Sequence, residues 1–122
     1  VHSPNTIIIA NPKDNIIENA FLESDVLIAP IRRGSGVNIK IMDAMCYGLA
    51  VIGTKIALRG FEPYDSFALI AEDASKFIEM LIHLDNNRDT LLRYRTASYQ
   101  EFQNRYTLVH RKRKMLIDLS EL

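Results

Sequence analysis

Four short apolar runs punctuate the first part of the chain: Ile7-Ile8-Ile9-Ala10, Val26-Leu27-Ile28-Ala29, Ala50-Val51-Ile52-Gly53 and Phe67-Ala68-Leu69-Ile70. In each run the apolar residues are contiguous instead of alternating with polar ones. That is the signature of strands buried on both faces, and so of a parallel sheet. Between the first two runs, Asp14 to Glu23 sets Ile16, Ile17, Ala20 and Phe21 at helical spacing, with Asp14 placed to cap the helix. Val37 to Tyr47 reads as a second helix. Strand, helix, strand, helix, strand predicts an α/β fold: a Rossmann-like parallel sheet of about four strands with flanking helices. Beyond the fourth run the pattern turns wholly helical. Phe77, Ile78, Leu81 and Ile82 form one predicted stripe, Leu92, Tyr99, Phe102 and Tyr106 a second, and Asp85-Asn86-Asn87 separates them. A last helix is expected near Leu108 to Leu119, giving a helical C-terminus.

Composition narrows the function classes. With 122 residues, 48% of them apolar, the chain has material for one core, so residues 1–122 are expected to form a single domain. Fifteen basic and fifteen acidic side chains cancel, and no global field draws the chain toward nucleic acid or anionic lipid. Binding is therefore expected to be local and shaped. The lone cysteine, Cys46, rules out a disulfide framework and a thiolate metal cluster, and it reads as a small buried hydrophobe. Neither a signal peptide nor an apolar stretch of about eighteen residues is visible, and a cytoplasmic location is the expectation.

The chemistry concentrates where the second strand leaves the sheet, from Pro30 to Met45. Ligands of open α/β sheets bind outside the carboxyl ends of strands. Gly34 and Gly36 let the backbone turn tightly and approach a ligand, while helix-start amides and the helix dipole favour a phosphate. Arg32 and Arg33 add positive charge and are candidate phosphate-neutralising residues. Lys40 and Asp43 are three apart and share a helix face with Tyr47. A carboxylate there can accept both hydroxyls of a ribose. On spacing alone, the same segment also reads as a flexible turn followed by a surface ion pair.

Taken together, Asp25-Val26-Leu27-Ile28-Ala29-Pro30 and Gly34-x-Gly36-x-x-x-Lys40-x-x-Asp43-Ala44-Met45-x-x-Gly48-x-Ala50-Val51-Ile52-x-Thr54 closely resemble the C-terminal domain of family 4 (group 1) glycosyltransferases of the GT-B fold. Arg59-Gly60-Phe61, the strand Phe67 to Ile70 and the Asp73 to Leu84 helix extend the likeness. The resemblance implies the second half of a nucleotide-sugar-binding domain. It further implies retaining transfer from a nucleotide-diphosphate sugar to a glycan or lipid-linked acceptor held by a separate N-terminal domain, with no metal and no cofactor besides the donor. Gly34, Ser35, Gly36, Val37 and Asn38 inherit contacts to the diphosphate and sugar, Lys40 belongs to the same donor-binding set, and Asp43 inherits the ribose. The implied mechanism is front-face departure of the diphosphate through an oxocarbenium-like state, the leaving phosphate taking the acceptor's proton. Two positions depart from the pattern. Asp43 stands where Glu is usual, and Ser35 stands where another acidic residue often lies.

Other conspicuous residues read more plainly. His2, His83 and His110 have no spaced partners and are expected to be solvated or locally bonded. Arg111-Lys112-Arg113-Lys114 could contact an anionic membrane surface or nucleic acid, but without interleaved aromatics it reads first as a solvated helix face. Nucleic acid is not an expected partner. Tyr94, Tyr99, Phe102 and Tyr106 read as core packing by their helical spacing. An uncovered edge strand would suit a homodimer. The competing class is a non-catalytic α/β module that binds a nucleotide or a protein partner.

Overall fold

The computed structural model describes residues 5–34, 36–110 and 112. Its elements run α1 (Asp14–Glu23), β1 (Val26–Ala29), α2 (Ile39–Cys46), β2 (Ala50–Gly53), β3 (Ala68–Ile70), α3 (Ala74–Asn86) and α4 (Arg88–Glu101), which continues into a π-helical turn, Phe102–Tyr106. The three strands form a parallel sheet in the order β1-β2-β3. Val26 pairs with Ala50 and Ala29 with Gly53, while Val51 pairs with Ala68 and Gly53 with Ile70. The α/β class and the parallel sheet predicted from the apolar runs are present.

Helices cover both sheet faces, which is why β2 is apolar at every position and buried along its whole length. On one face Ala29, Val51 and Ala68 pack with Ile41, Met42, Ala44 and Met45 of α2, with Phe21 of α1, and with Leu58, Phe61, Phe67 and Phe102. On the other, Ala50, Ile52 and Ala71 meet Phe77 and Leu84 of α3 and Leu91 of α4. Phe21 stacks on Tyr47 with ring centroids 5.4 Å apart, fixing α1 to the end of α2. Arg95 ties α4 to the strand entrances: its Nε donates to the Gly48 carbonyl at 2.8 Å and its guanidinium pairs with Asp25 at 2.7 Å.

The first apolar run differs from its prediction. Residues 7–10 form no strand, and Ile7, Ile8 and Ile9 are 85%, 65% and 51% exposed. A contiguous apolar run specifies burial on two sides, and the described residues do not supply two covers at this edge. Ile9 instead lies along an apolar cleft with Ile16, Ile17 and Leu27. The sheet therefore has three strands, not about four, among the described residues.

Helix starts follow local chemistry. Asp73 caps α3 by accepting from the Lys76 amide at 2.8 Å, and Asn38 caps α2 by accepting from the Lys40 amide at 3.0 Å. Asp14, by contrast, is the first helical residue of α1, where its charge suits the helix dipole, and Lys13 occupies the cap without a side-chain bond. Both predicted C-terminal stripes need correction. Phe77 is buried and Leu81 half-buried, whereas Ile78 and Ile82 face outward. Leu91 and Ser98 are buried in α4 where Leu92 and Tyr99 were expected, though Phe102 is buried as predicted. Neighbours on a helix point ~100° apart, so a core that takes one residue of an apolar pair turns its neighbour outward.

Ser98 has no exposed surface, and its hydroxyl has no hydrogen-bond partner among the described residues. A buried unbonded hydroxyl is destabilising, and alanine is the better helix former. Ser98→Ala is expected to raise stability by about 1 kcal/mol, read as a higher urea midpoint at unchanged slope.

Candidate functional site

The site begins where β1 and β2 release the chain side by side. Thr54, buried just beyond β2, stitches the two exits together. Its hydroxyl donates to the Ile31 carbonyl and accepts from the Ala57 amide at 3.1 Å, while its own amide donates to the Ala29 carbonyl at 3.3 Å. The loop from Pro30 to Asn38 is thus anchored at its root to residues 54–57.

Its far end is held by Arg59 and Gly60, farther along the β2 exit. The Arg59 guanidinium donates to the Gly34 carbonyl, and Gly60 lies directly under Val37. Gly60 has φ +93°, and a Cβ built on it would sit 2.6 Å from Val37 Cγ2. Gly34 and Gly36 also have positive φ, +136° and +85°, but a Cβ on either would meet nothing within 4 Å. Gly60 therefore permits a close packing contact, whereas Gly34 and Gly36 provide a turn whose backbone lies open to an incoming group.

Between the two segments lies a hollow of about 190 Å³, with Arg33, Gly34, Gly36, Val37 and Asn38 on one side and Ile56, Ala57 and Arg59 on the other. Two of its lining residues are arginines and none is acidic, so the hollow favours an anion. The start of α2 reinforces that sign through its dipole. One of the helix-start amides, that of Lys40, is already engaged by the Asn38 side chain.

The remaining predicted residues are placed as follows. Arg32 is exposed and is not part of the hollow's lining. Lys40 runs along the apolar cleft beside α1 instead of into the hollow. Asp43 is half-buried on α2, with 18% of its side chain exposed, and its Oδ1 lies 3.2 Å from His110 Nε2. It stands about 7.5 Å along the helix axis from Asn38 and is not among the residues that line the hollow. Ser35, His2, Arg111, Arg113 and Lys114 lie outside the described residues; Lys112 is helical and exposed. His83 is exposed and lies 3.3 Å from the Asn87 amide nitrogen. Among the described residues no three His, Cys, Asp or Glu side chains gather as metal ligands, and no helix is long and apolar enough to cross a membrane.

Two tyrosines outside the hollow's lining have raised phenol pKa values. Tyr47 has its phenol pKa raised by burial and by the nearby charges of Glu18, Cys46 and Asp43. Tyr106 packs edge-on against Phe61, and burial raises its pKa despite the opposing charge of Arg105. The Tyr106 hydroxyl has no hydrogen-bond partner among the described residues. The unfolded phenol ionises first, near pH 10, so this group's contribution is complete below that pH and is lost as pH rises through the folded value. Tyr106→Phe is expected to leave neutral-pH stability equal or about 1 kcal/mol higher and to flatten the alkaline decline. Urea melts across pH 8 to 11 check both.

Two contributors escaped the sequence reading. Arg59 was visible within an Arg-Gly-Phe segment, but nothing marked its reach to Gly34. His110 carried no signal, because its partner lies 67 residues away.

A family model described as "Glycosyl transferases group 1" matches residues 2–87, which span α1 through α3 and include the whole glycine loop. No curated protein and no solved structure matches the chain.

Proposed function

Because the chain belongs to the group 1 glycosyl transferases, we propose that it is the donor-binding part of a retaining enzyme that takes its sugar from a nucleotide diphosphate. The observation that carries this reading is the open glycine turn between β1 and α2, backed by Arg33 and Arg59 and free of acidic lining residues. In the reading, the diphosphate lies in that hollow against the backbone of Gly34, Gly36, Val37 and Asn38, and Asp43, farther along α2, accepts the ribose hydroxyls. Ser35, which stands where the family often carries an acidic residue near the transferred sugar, lies outside the described residues. Arg33 and Arg59 then stabilise the negative charge that grows on the leaving diphosphate as the glycosidic bond breaks, a preorganised electrostatic effect. The leaving phosphate takes the acceptor's proton. No metal enters the scheme.

The acceptor, a glycan or a lipid-linked sugar, docks on a separate N-terminal domain at the cytoplasmic face of a membrane. The present chain alone binds donor without transferring it. Saturation-transfer NMR with UDP, GDP and their sugars tests the reading. Saturation of base and ribose protons from at least one nucleotide is expected. Transfer to none of them, or tight DNA binding with a steep salt dependence, would contradict it.

A further inference from the structure

The contact between Asp43 and His110 joins the segment matched by the family model to a helix beyond it. Both side chains are largely covered, 18% and 24% exposed. An ionised carboxylate only accepts, so His110 Nε2 is the donor of this 3.2 Å contact.

The helix is shaped to make it. Phe102, Tyr106 and His110 are spaced by four, and each such step on a regular α-helix drifts by ~40°. The π turn from Phe102 to Tyr106 has more residues per turn and removes part of that drift. The Thr107 hydroxyl bonds the Phe102 and Gln103 carbonyls at 3.2 Å, occupying acceptors within the widened turn. Phe102 stays buried against α2, and the His110 ring packs edge-on against it with centroids 5.3 Å apart. The imidazole is therefore fixed on one side by a ring contact and on the other by the carboxylate.

We propose that His110 is a positioning residue for the donor's ribose: it holds the Asp43 carboxylate in the orientation that accepts the sugar hydroxyls. A carboxylate has about four acceptor positions, so the bond from His110 does not by itself exhaust Asp43. Asp is a methylene shorter than Glu, and a carboxylate with less reach depends more on its orientation. This inference rests on the nucleotide-diphosphate reading above.

The test compares His110→Leu, His110→Gln and His110→Asn in the full chain, titrated with UDP, GDP and inorganic pyrophosphate. The Gln amide nitrogen reaches the place of imidazole Nε2; the Asn amide is too short. Leu and Asn are expected to weaken binding of whichever nucleoside diphosphate the unmodified chain prefers by about tenfold, the loss of a hydrogen bond to a charged group. Gln restores it, and pyrophosphate binding stays level across the set, which separates a lost ribose orientation from a general loss of fold. If Leu, Asn and Gln all bind as the unmodified chain does while Asp43→Ala still weakens binding, the positioning role is overturned and the ribose reading stands. Equal weakening by all three, or tighter binding by Leu, overturns it as well. If the unmodified chain binds neither nucleotide, the underlying reading falls and the inference with it.

Discussion

Gly60→Ala is expected to destabilise the chain by about 3 kcal/mol and to disorder the glycine loop. Two costs add. An L-residue held at φ +93° loses roughly 1–2 kcal/mol relative to glycine, and the new Cβ would stand 2.6 Å from Val37 Cγ2, an overpacking that typically costs ~1–3 kcal/mol. Val37 is β-branched with few χ1 rotamers and is 49% exposed, so it relieves the contact either by changing rotamer or by moving its own backbone. That backbone leads directly into Asn38, the cap of α2. Moving residue 60 also displaces Arg59 from the Gly34 carbonyl. Urea denaturation measures the loss. The double variant Gly60→Ala with Val37→Ala should recover the overpacking share and leave the backbone share, which separates the two contributions.

The contrast among glycines shows what the sequence could and could not convey. Gly34 and Gly36 stood out because they are two apart in a loop after a strand, and the structure places both on the open hollow. Gly60 stood out only as part of a family-like segment, since its necessity arises from a residue far back in the chain. Strands β1, β2 and β3 were legible because contiguous apolar residues follow directly from burial on both faces. Ile7 to Ile9 carry the same pattern without the same outcome, because periodicity reports the environment a segment is suited to and not the neighbours it has. In α3 and α4 the period was legible but the phase was not. Phe77 and Ile78 are equally apolar, and only the position of the sheet decides that Phe77 turns inward. Arg33, Gly34, Gly36, Val37 and Asn38 line one hollow and are close in sequence, while the bonds of Arg59 to Gly34 and of His110 to Asp43 span 25 and 67 residues.

Asp43→Ala is the second large effect. Removal of a carboxylate that accepts ribose hydroxyls costs roughly 1.5–3 kcal/mol, the range for hydrogen bonds to a charged group, or about 10- to 100-fold in Kd for a nucleoside diphosphate. Pyrophosphate, which has no ribose, should bind Asp43→Ala as it binds the unmodified chain. Asp43→Ala also removes the largely covered contact to His110, so stability should fall by about 1–3 kcal/mol, and binding is compared where both chains remain folded. Isothermal titration with the nucleotide and with pyrophosphate separates a ribose contact from a general loss of anion affinity. Loss of both ligands together would place the effect in the loop's fold and not in Asp43.

The central claim is that an open glycine turn and the start of α2 cradle the donor's diphosphate. Backbone amide shifts of the nitrogen-15-labelled chain during titration with a nucleoside diphosphate test it most directly. The account predicts the largest saturable shifts at Gly34, Gly36, Val37 and Asn38, with smaller ones at Asp43 and around Arg59. Saturable shifts that spare this loop and gather elsewhere, for instance on the outer face of α4 around Leu92 and Thr96, would contradict it.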